Sequence, residues 1–210
     1  LLIDHQRRFD PFFLHLKNFI NNKIGKIQMI NMIYGAGIIN TGTHVIDLLR
    51  YFFGEIDSVN ASFSQNSSCN PTDPNIDGKI IFKNKVTCFL HALDLSHFGF
   101  LEMQIFATNS VLKINLTNNT VEYQSISKKP SLAYKTLEIK NQNFKKSNKS
   151  AISLGVENLI DAISNKSTLL CNGQDGLKSL EGVISLMKSA KSRKIIRIPL
   201  KTTNYKISSK

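Results

Sequence analysis

Residues 40–63 have the sequence NTGTHVIDLLRYFFGEIDSVNASF, and within it the spacing of the apolar residues changes from helical to extended. The first half follows a helical period that ends at Gly54. From Ile56 onward apolar and polar residues alternate, as they do in a strand that buries one face. A helix that leads into such a strand, in a chain with further alternating runs, predicts an α+β fold.

The further alternating runs lie at 86–92, 101–107, 112–116 and 121–124, and they predict a mainly antiparallel β-sheet. Strands are also predicted for residues 1–9, 25–34 and 194–200. Helices are predicted on both sides of the central runs, the first opening at Pro11. The apolar stripes of two later helices are Ile152, Val156, Leu159 and Ile163, and Leu177, Leu180, Ile184 and Met187. This order predicts a sheet with helices packed on one face.

Length and composition limit the kind of protein. With 210 residues, of which 41% are apolar and 20% charged, the chain suffices for one domain, which we assign to residues 1–210. No apolar run approaches the roughly 20 residues that span a bilayer, so a cytoplasmic protein without a membrane partner is expected. The net charge of +12 is spread along the chain without a nucleic-acid motif, which argues against a nucleic-acid partner.

No metal site is predicted from the cysteines and histidines. Cys69, Cys88 and Cys171 are widely spaced and form no CxxC pair, so they are interpreted as reduced thiols. Four histidines lack partners at ligand spacing and are interpreted as packing or surface residues: His5, His15, His91 and His97.

The fifth histidine, His44, lies in the helix of the opening stretch together with other polar residues. Asn40, His44, Asp47 and Tyr51 follow the spacing of one helix face. A histidine exchanges a proton near neutral pH, and a neighbouring carboxylate can orient it, as the oxidation of an alcohol requires. In the alternative interpretation, His44 and Asp47 only cap the first turn of the helix. The spacing alone leaves both interpretations open.

The segment from Gly35 to Glu55, GAGIINTGTHVIDLLRYFFGE, resembles the active-site helix of the glucose–fructose oxidoreductase, inositol dehydrogenase and rhizopine-catabolism (Gfo/Idh/MocA) oxidoreductase family. Residues 6–11 are similar to the family's entry into its C-terminal domain. Asp175-Gly176-Leu177, followed by Ser189-Ala190, resembles its closing helix. The resemblance covers nearly the whole chain, but only the C-terminal domain of the family.

The resemblance implies a C-terminal domain of the dihydrodipicolinate-reductase-like kind, which forms the substrate pocket and the subunit interface. In the family, a separate N-terminal Rossmann domain binds NAD or NADP and supplies a catalytic lysine. Gly35-Ala36-Gly37 lacks the third glycine of a dinucleotide fingerprint, and the chain begins in an apolar run without methionine. We therefore expect the Rossmann domain to be absent, no cofactor on this chain alone, and no activity without the missing domain. The alternative is a stand-alone, non-catalytic module for binding or oligomerisation.

The resemblance also implies roles for single residues. His44 corresponds to the catalytic histidine and Asp47 to the acidic residue near it, which is expected to contact the substrate. Many members have an aspartate where Asn40 stands; because an amide cannot accept a proton, Asn40 is expected to position a sugar hydroxyl. By analogy, this favours a nucleotide-sugar or amino-sugar substrate over free inositol. Arg7 or Arg8 is expected to contact a substrate phosphate or carboxylate.

Two further expectations concern the pocket and the assembly. Tyr34, at the end of a predicted strand, is expected to line the substrate pocket, although packing at the sheet edge explains it equally well. A homodimer or homotetramer is expected through the sheet, because an antiparallel sheet with helices on one side leaves its other face to water or to a partner. The sequence does not show whether the row Leu101, Met103, Ile105 and Ala107 faces the helices or another subunit.

Overall fold

The computed structural model describes residues 1–129 and 133–201. The helices are a 3₁₀ turn at Gln6–Arg8, α1 (Pro11–Lys23), a π-helical turn at Gly37–Thr41, α2 (Gly42–Phe53), α3 (Ala151–Ile163) and α4 (Gly173–Ser192). The strands are β1 (Ile27–Gly35), β2 (Ile56–Phe63), β3 (Ile76–Phe82), β4 (Thr87–Leu93), β5 (Glu102–Ala107), β6 (Ser110–Asn115), β7 (Thr120–Ile126), β8 (Leu137–Lys140) and β9 (Ile196–Arg197).

The described strands form one sheet in the order β8-β7-β6-β5-β1-β4-β3-β2-β9. The central strand β1 pairs in parallel with β4 and antiparallel with β5. All other pairs among the described strands are antiparallel. The predicted α+β fold with a mainly antiparallel sheet is therefore confirmed.

One face of the sheet carries the hydrophobic core. Along β1, Ile30, Met32 and Tyr34 are fully buried, while the residues between them are partly exposed. Met103 and Ile105 of β5 are fully buried in the same core cluster as the apolar side chains of α1, α2 and α4. Hence the apolar row of β5 faces the helices, which answers the question that the sequence left open.

The opposite face of the sheet mixes apolar and polar side chains, and no described helix is packed into a core there. Apolar residues of this face are partly exposed in five neighbouring strands: Met29, Ile33, Ile81, Phe89, Phe106 and Val111. Lys79 and Lys113 lie among them and are exposed. We call this set of eight residues the open face.

Residues 1–9 do not form the predicted strand. Leu2 makes a single antiparallel bridge with Asn172, and the amide of Ile3 donates to the carbonyl of Cys171, before the chain turns into the 3₁₀ helix. The segment runs beside the start of α4, where no strand edge offers a continuous ladder. Arg7 and Arg8 are therefore successive residues of a helical turn and do not alternate across a sheet.

The predicted apolar stripes of the last two helices do not coincide with the buried sides of these helices, apart from Met187 on α4. On α3, Ile152, Val156 and Ile163 are each more than half exposed. The buried side of α4 consists largely of small residues with Val183 and Leu186, and a Cβ on Gly182 would lie 2.8 Å from a methyl carbon of Ile46. Small side chains let α4 approach α2 closely, and a count of large apolar residues does not detect such a face. None of the described helices combines the length and apolarity needed to cross a membrane.

Candidate functional site

The turn between β1 and α2 is shaped by glycine and by a distant loop. Ala36 and Gly37 have φ angles of 60° and 89°, in the left-handed region that favours glycine. A side chain on Gly37 would overlap the carboxylate of Asp73. The buried Asp73 accepts hydrogen bonds from the amides of Ile39 (2.7 Å) and Asn40 (2.9 Å), at the approach to α2. The loop at 66–75 thus fixes the start of the helix that carries His44.

The same contacts show that the glycine turn does not fit a dinucleotide. A phosphate-binding turn leaves its backbone amides free for the pyrophosphate. Here, Asp73 occupies the amides of Ile39 and Asn40, and the side-chain oxygen of Asn75 accepts from the amide of Gly37 at 3.0 Å. The anion position of this turn is filled by the protein's own carboxylate, so no step of a reaction is assigned to a nucleotide bound here.

His44 lies in the first turn of α2 and is partly exposed. Burial lowers its pKa below the ordinary value of 6.5, and the positive charge of Arg7 lowers it further, while Asp4 and Asp47 oppose these effects. The imidazole is therefore neutral at neutral pH and able to accept a proton. Asn40, one helical turn earlier, is exposed.

Asp47 lies inside the fold and is 2% exposed. Arg8 binds it with two hydrogen bonds, from Nε at 2.9 Å and from Nη2 at 2.8 Å, and the hydroxyl of Ser179 donates to it at 3.0 Å. This cluster ties the N-terminal turn, α2 and α4 together. Its burial and its three hydrogen bonds make Asp47 a structural residue here, which corrects the expectation that it contacts substrate.

A second arginine, Arg50 of α2, also connects α2 to α4. Arg50 binds Glu55 through two hydrogen bonds, at 3.2 and 3.0 Å, and donates to the hydroxyl of Ser179 at 2.8 Å. Lys178 of α4 also binds Glu55, at 3.1 Å. Because Ser179 accepts from Arg50 and donates to Asp47, one hydroxyl joins the two ion pairs.

His5, interpreted from its sequence spacing as a packing or surface residue, lies next to His44. Their ring centroids are 5.4 Å apart, with the rings nearly perpendicular. Nε2 of His5 is 3.9 Å from a carboxylate oxygen of Asp47. Burial lowers the pKa of His5, and Asp47 opposes this effect. No sequence spacing indicates this pair, because His5 reaches α2 only through the turn at Gln6–Arg8.

Among the described residues, Arg7 differs from Arg8 and Arg50 in having no carboxylate partner. It is partly buried, and its guanidinium lies 6.0 Å from the ring centroid of Phe13. Burial lowers its pKa. Within residues 1–129 and 133–201, no ion pair or hydrogen bond of its side chain is found. Arg7 lines an open cavity of about 240 Å³ together with Gln6, Asp10, Phe13, Leu116, Thr117, Asn119 and Ala151.

Tyr34 is enclosed in the core and does not line a pocket, contrary to expectation. None of its side chain is exposed, and burial raises its pKa. Its hydroxyl donates to the carbonyl of Ile76 and accepts from the amide of the same residue, both at 3.0 Å. Tyr34 therefore fixes the end of β1 to the start of β3.

Several solved structures share this fold. An NAD-binding protein from Listeria innocua superposes with a TM-score of 0.73 at 14% identity, over 93% of this chain and 66% of that one. The WlbA dehydrogenase from Bordetella pertussis, in complex with NADH and UDP-GlcNAcA, gives 0.70 at 17% identity, over 95% and 63%. The aldose–aldose oxidoreductase from Caulobacter crescentus, complexed with glycerol, gives 0.74 at 14% identity, over 94% and 64%. The chain thus spans less than two thirds of the length of these proteins.

A comparison with curated protein sequences gives no match. The sequence profile described as "Oxidoreductase family, C-terminal alpha/beta domain" matches residues 33–200, which is most of the chain and includes α2 with His44. The chain therefore belongs to the Gfo/Idh/MocA oxidoreductase family and comprises its C-terminal α/β domain.

Proposed function

We propose that this chain is the substrate-binding domain of an NAD(P)-dependent dehydrogenase of sugars or nucleotide sugars, in which His44 accepts the proton of the reacting hydroxyl. The observation that carries the proposal is a neutral, partly exposed imidazole at the start of α2. The helix start beneath it is fixed by Asp73. A general base must be both accessible and unprotonated at the pH at which it works.

The substrate class is supported by proteins of the same fold. WlbA was solved with a nucleotide sugar and NADH, and the Caulobacter crescentus protein is named for aldoses. A nicotinamide held by the nucleotide-binding domain would supply the hydride acceptor for the carbon that bears the hydroxyl. The residues of this chain would take up the proton, which passes from the substrate hydroxyl to His44 as the carbonyl forms.

Two further side chains are proposed to contact the substrate. Asn40 is exposed one turn before His44, and its amide can both donate to and accept from a sugar hydroxyl. Arg7 is a partly buried guanidinium that has no carboxylate partner in the described part of the chain, and it is suited to two parallel hydrogen bonds with a phosphate or carboxylate of the substrate. Tyr34 and Asp47 would act indirectly, by fixing β1 and the N-terminal turn.

A nucleotide-binding domain is proposed to hold the cofactor and to cover α3. Ile152, Val156, Ile160 and Ile163 form a stripe along this helix and are each at least 52% exposed. A contiguous exposed apolar surface of this kind marks an interaction site. Leu1, 88% exposed, lies next to Gly173, so a domain joined before Leu1 would begin close to the start of α4.

The proton-acceptor role is tested in the complete protein, with the nucleotide-binding domain supplied by its own gene or by a close relative. His44→Ala is expected to lower kcat by roughly 10²–10⁴-fold, the range for loss of a general base, with a smaller change in KM. His97→Ala, which alters an exposed histidine of the loop before β5, is the matched control and should leave turnover unchanged.

Turnover is measured per folded molecule beside a melting curve. If His44 only caps the helix, its removal costs about 1 kcal/mol of stability and the folded protein keeps its activity. Near-normal turnover of His44→Ala would therefore remove His44 from the mechanism. Calorimetry of the present chain with NAD is expected to show no binding, and tight binding would contradict the assignment of the cofactor to another domain.

A further inference from the structure

One buried polar side-chain atom among the described residues has no hydrogen-bond partner, and it is Nδ1 of His5. The whole residue is 8% exposed. Leaving a buried nitrogen unpaired destabilises a fold, and folded proteins retain few such atoms without a reason. A phenylalanine would fill a similar space without an unpaired nitrogen, so packing does not explain why an imidazole stands here.

His5 lies between the proposed base and the buried carboxylate. Its ring contacts that of His44 in an edge-to-face arrangement, with centroids 5.4 Å apart and an interplanar angle of 87°. Its Nε2 faces Asp47 at 3.9 Å. The hydrogen bonds of Asp47 come from Arg8 and Ser179. Of the groups in this cluster, His5 is the one whose ring contacts His44.

The position of Asp47 also determines which ring nitrogen of neutral His5 carries the hydrogen. The nitrogen that faces a carboxylate is the one that carries the hydrogen in a neutral imidazole, which assigns the hydrogen to Nε2. Nδ1 is then a lone-pair acceptor without a donor. Once His44 takes up a proton, both of its ring nitrogens are donors. A small rotation of either ring would give Nδ1 the partner that it lacks.

We propose that His5 is a positioning residue that acts through His44. It holds the His44 ring in place and, through Nδ1, accepts a hydrogen bond from the imidazolium that forms when His44 takes the substrate proton. The effect of His5 on catalysis rests on the function proposed above, whereas the coupling of the His5 and His44 rings can be measured in this chain alone. An interaction that forms only on proton uptake favours proton transfer without tightening substrate binding.

Other charged and titratable groups surround the two rings and act on them in opposite directions. Asp47 favours protonation of both histidines, whereas neighbouring arginines disfavour it. The groups that act on one or both rings are Asp4, Arg7 and Arg8 of the N-terminal segment, and Asp47 and Arg50 of α2. Cys171, which precedes α4, and Asp175 of α4 lie beside Arg8 in the same cluster. The test therefore changes His5 alone and leaves this set intact.

Three substitutions distinguish the contributions of Nδ1, Nε2 and the ring of His5. His5→Asn places an amide oxygen near the position of Nδ1, His5→Gln reaches the position of Nε2, and His5→Phe keeps only the ring. The Cε1 proton of His44 is followed by NMR during a pH titration of each folded variant of this chain. The pKa of His44 is expected to fall in His5→Phe and His5→Gln, beyond the spread of replicate titrations, and to stay at the parent value in His5→Asn.

The same His44 titration in all variants would overturn the proposal, because a purely structural His5 leaves that pKa unchanged. His5→Phe is expected to melt at or above the temperature of the parent chain, since the unpaired nitrogen is gone. If His5→Phe fails to fold, the comparison of His5→Asn with His5→Gln still decides the question.

In the complete enzyme, His5→Phe is expected to lower kcat about tenfold, the effect of one lost hydrogen bond to a charged group, with KM little changed. His5→Asn should restore kcat. If kcat is unchanged in His5→Phe but falls sharply in His44→Ala, the role proposed for His5 is wrong, while the role proposed for His44 stands. A retained turnover in His44→Ala would contradict the proposed function, while the coupling seen by NMR would stand.

Discussion

Asp47 of α2 joins the N-terminal turn to α4 through Arg8 and Ser179. Its ion pair with Arg8 is almost wholly buried, with side chains 8% and 2% exposed. Removing one member of such a pair leaves the other charge unpaired in the interior, at a cost of about 3–5 kcal/mol. Asp47→Asn is therefore expected to lower the free energy of unfolding by about 3 kcal/mol, as measured by urea denaturation followed by circular dichroism.

The control for Asp47→Asn is Glu157→Gln. Glu157 pairs with Lys149 at 2.6 Å, but both side chains are about half exposed. Exposed pairs contribute about 0–1 kcal/mol, so the control should unfold near the parent midpoint. If the two variants were equally stable, the buried cluster would not have the structural role assigned to it.

The two neighbouring histidines predict how stability depends on pH. Burial lowers the pKa of both His5 and His44 in the folded state. The unfolded chain then binds protons more readily than the folded one, so stability is present above about pH 6.5 and is lost as the pH falls below it. We expect the urea midpoint to decrease from pH 7 to about pH 5.5. The decrease should be smaller in a His5→Phe, His44→Phe double variant, and an equal slope in both proteins would contradict this assignment.

His44 and Asn40 could be named from the sequence, because one helical segment carries both and its motif is long. The sequence did not predict the contacts of His5, Asp73 and Ser179. Asp73 meets Ile39 across 34 positions, and Ser179 meets Asp47 across 132. Side chains that converge from separate elements leave no spacing in the sequence, so their roles become visible only in the folded chain.

At the scale of elements, the start of α2 depends on the loop that carries Asp73. Asp73→Ala removes the acceptor of two amides and is expected to lower the free energy of unfolding by about 2 kcal/mol, as for the loss of a strong helix cap. Ser150→Ala is the control, because Ser150 caps the exposed helix α3 through the amide of Ser153. It should cost about 1 kcal/mol. A smaller loss for Asp73→Ala than for Ser150→Ala would show that the loop does not fix α2.

Elements with strong periodicity were predictable, and the others show why periodicity fails. Predicted and observed positions agree closely for α2 and for β1, β2, β4, β5 and β6, because each of these elements buries one regular face. No strand was predicted for β3, although it buries Ile76, Ile80 and Phe82. β8 is a four-residue edge strand with mostly exposed residues and has no buried face to detect. Residues 1–9 have the composition of a strand but no free strand edge beside them. The stripe on α3 was visible in the sequence, yet the described residues leave it uncovered.

For the whole molecule, the two uncovered apolar surfaces predict two different partners. The open face consists of neighbouring strands, with Phe106 paired to Met29 on one side and to Val111 on the other. Such a surface suits a second copy of the chain, because antiparallel sheets bury a second face only against a partner. For the exposed stripe of α3, the proposed partner is the nucleotide-binding domain. Association of this chain with itself should therefore depend on the sheet and not on α3.

Light scattering at micromolar concentration is expected to find a dimer or larger assembly. Phe106→Glu places a charge in the middle of the open face and should convert the assembly to monomers, since an unpaired charge in an apolar interface is costly to bury. Val156→Glu introduces the same charge on α3 and should leave the assembly intact. A parent chain that is monomeric, or an assembly broken by Val156→Glu and not by Phe106→Glu, would contradict the assignment of the two surfaces. Because both substitutions alter exposed or partly exposed side chains, each variant should retain the melting temperature of the parent fold, so that a change in mass reports on the interface.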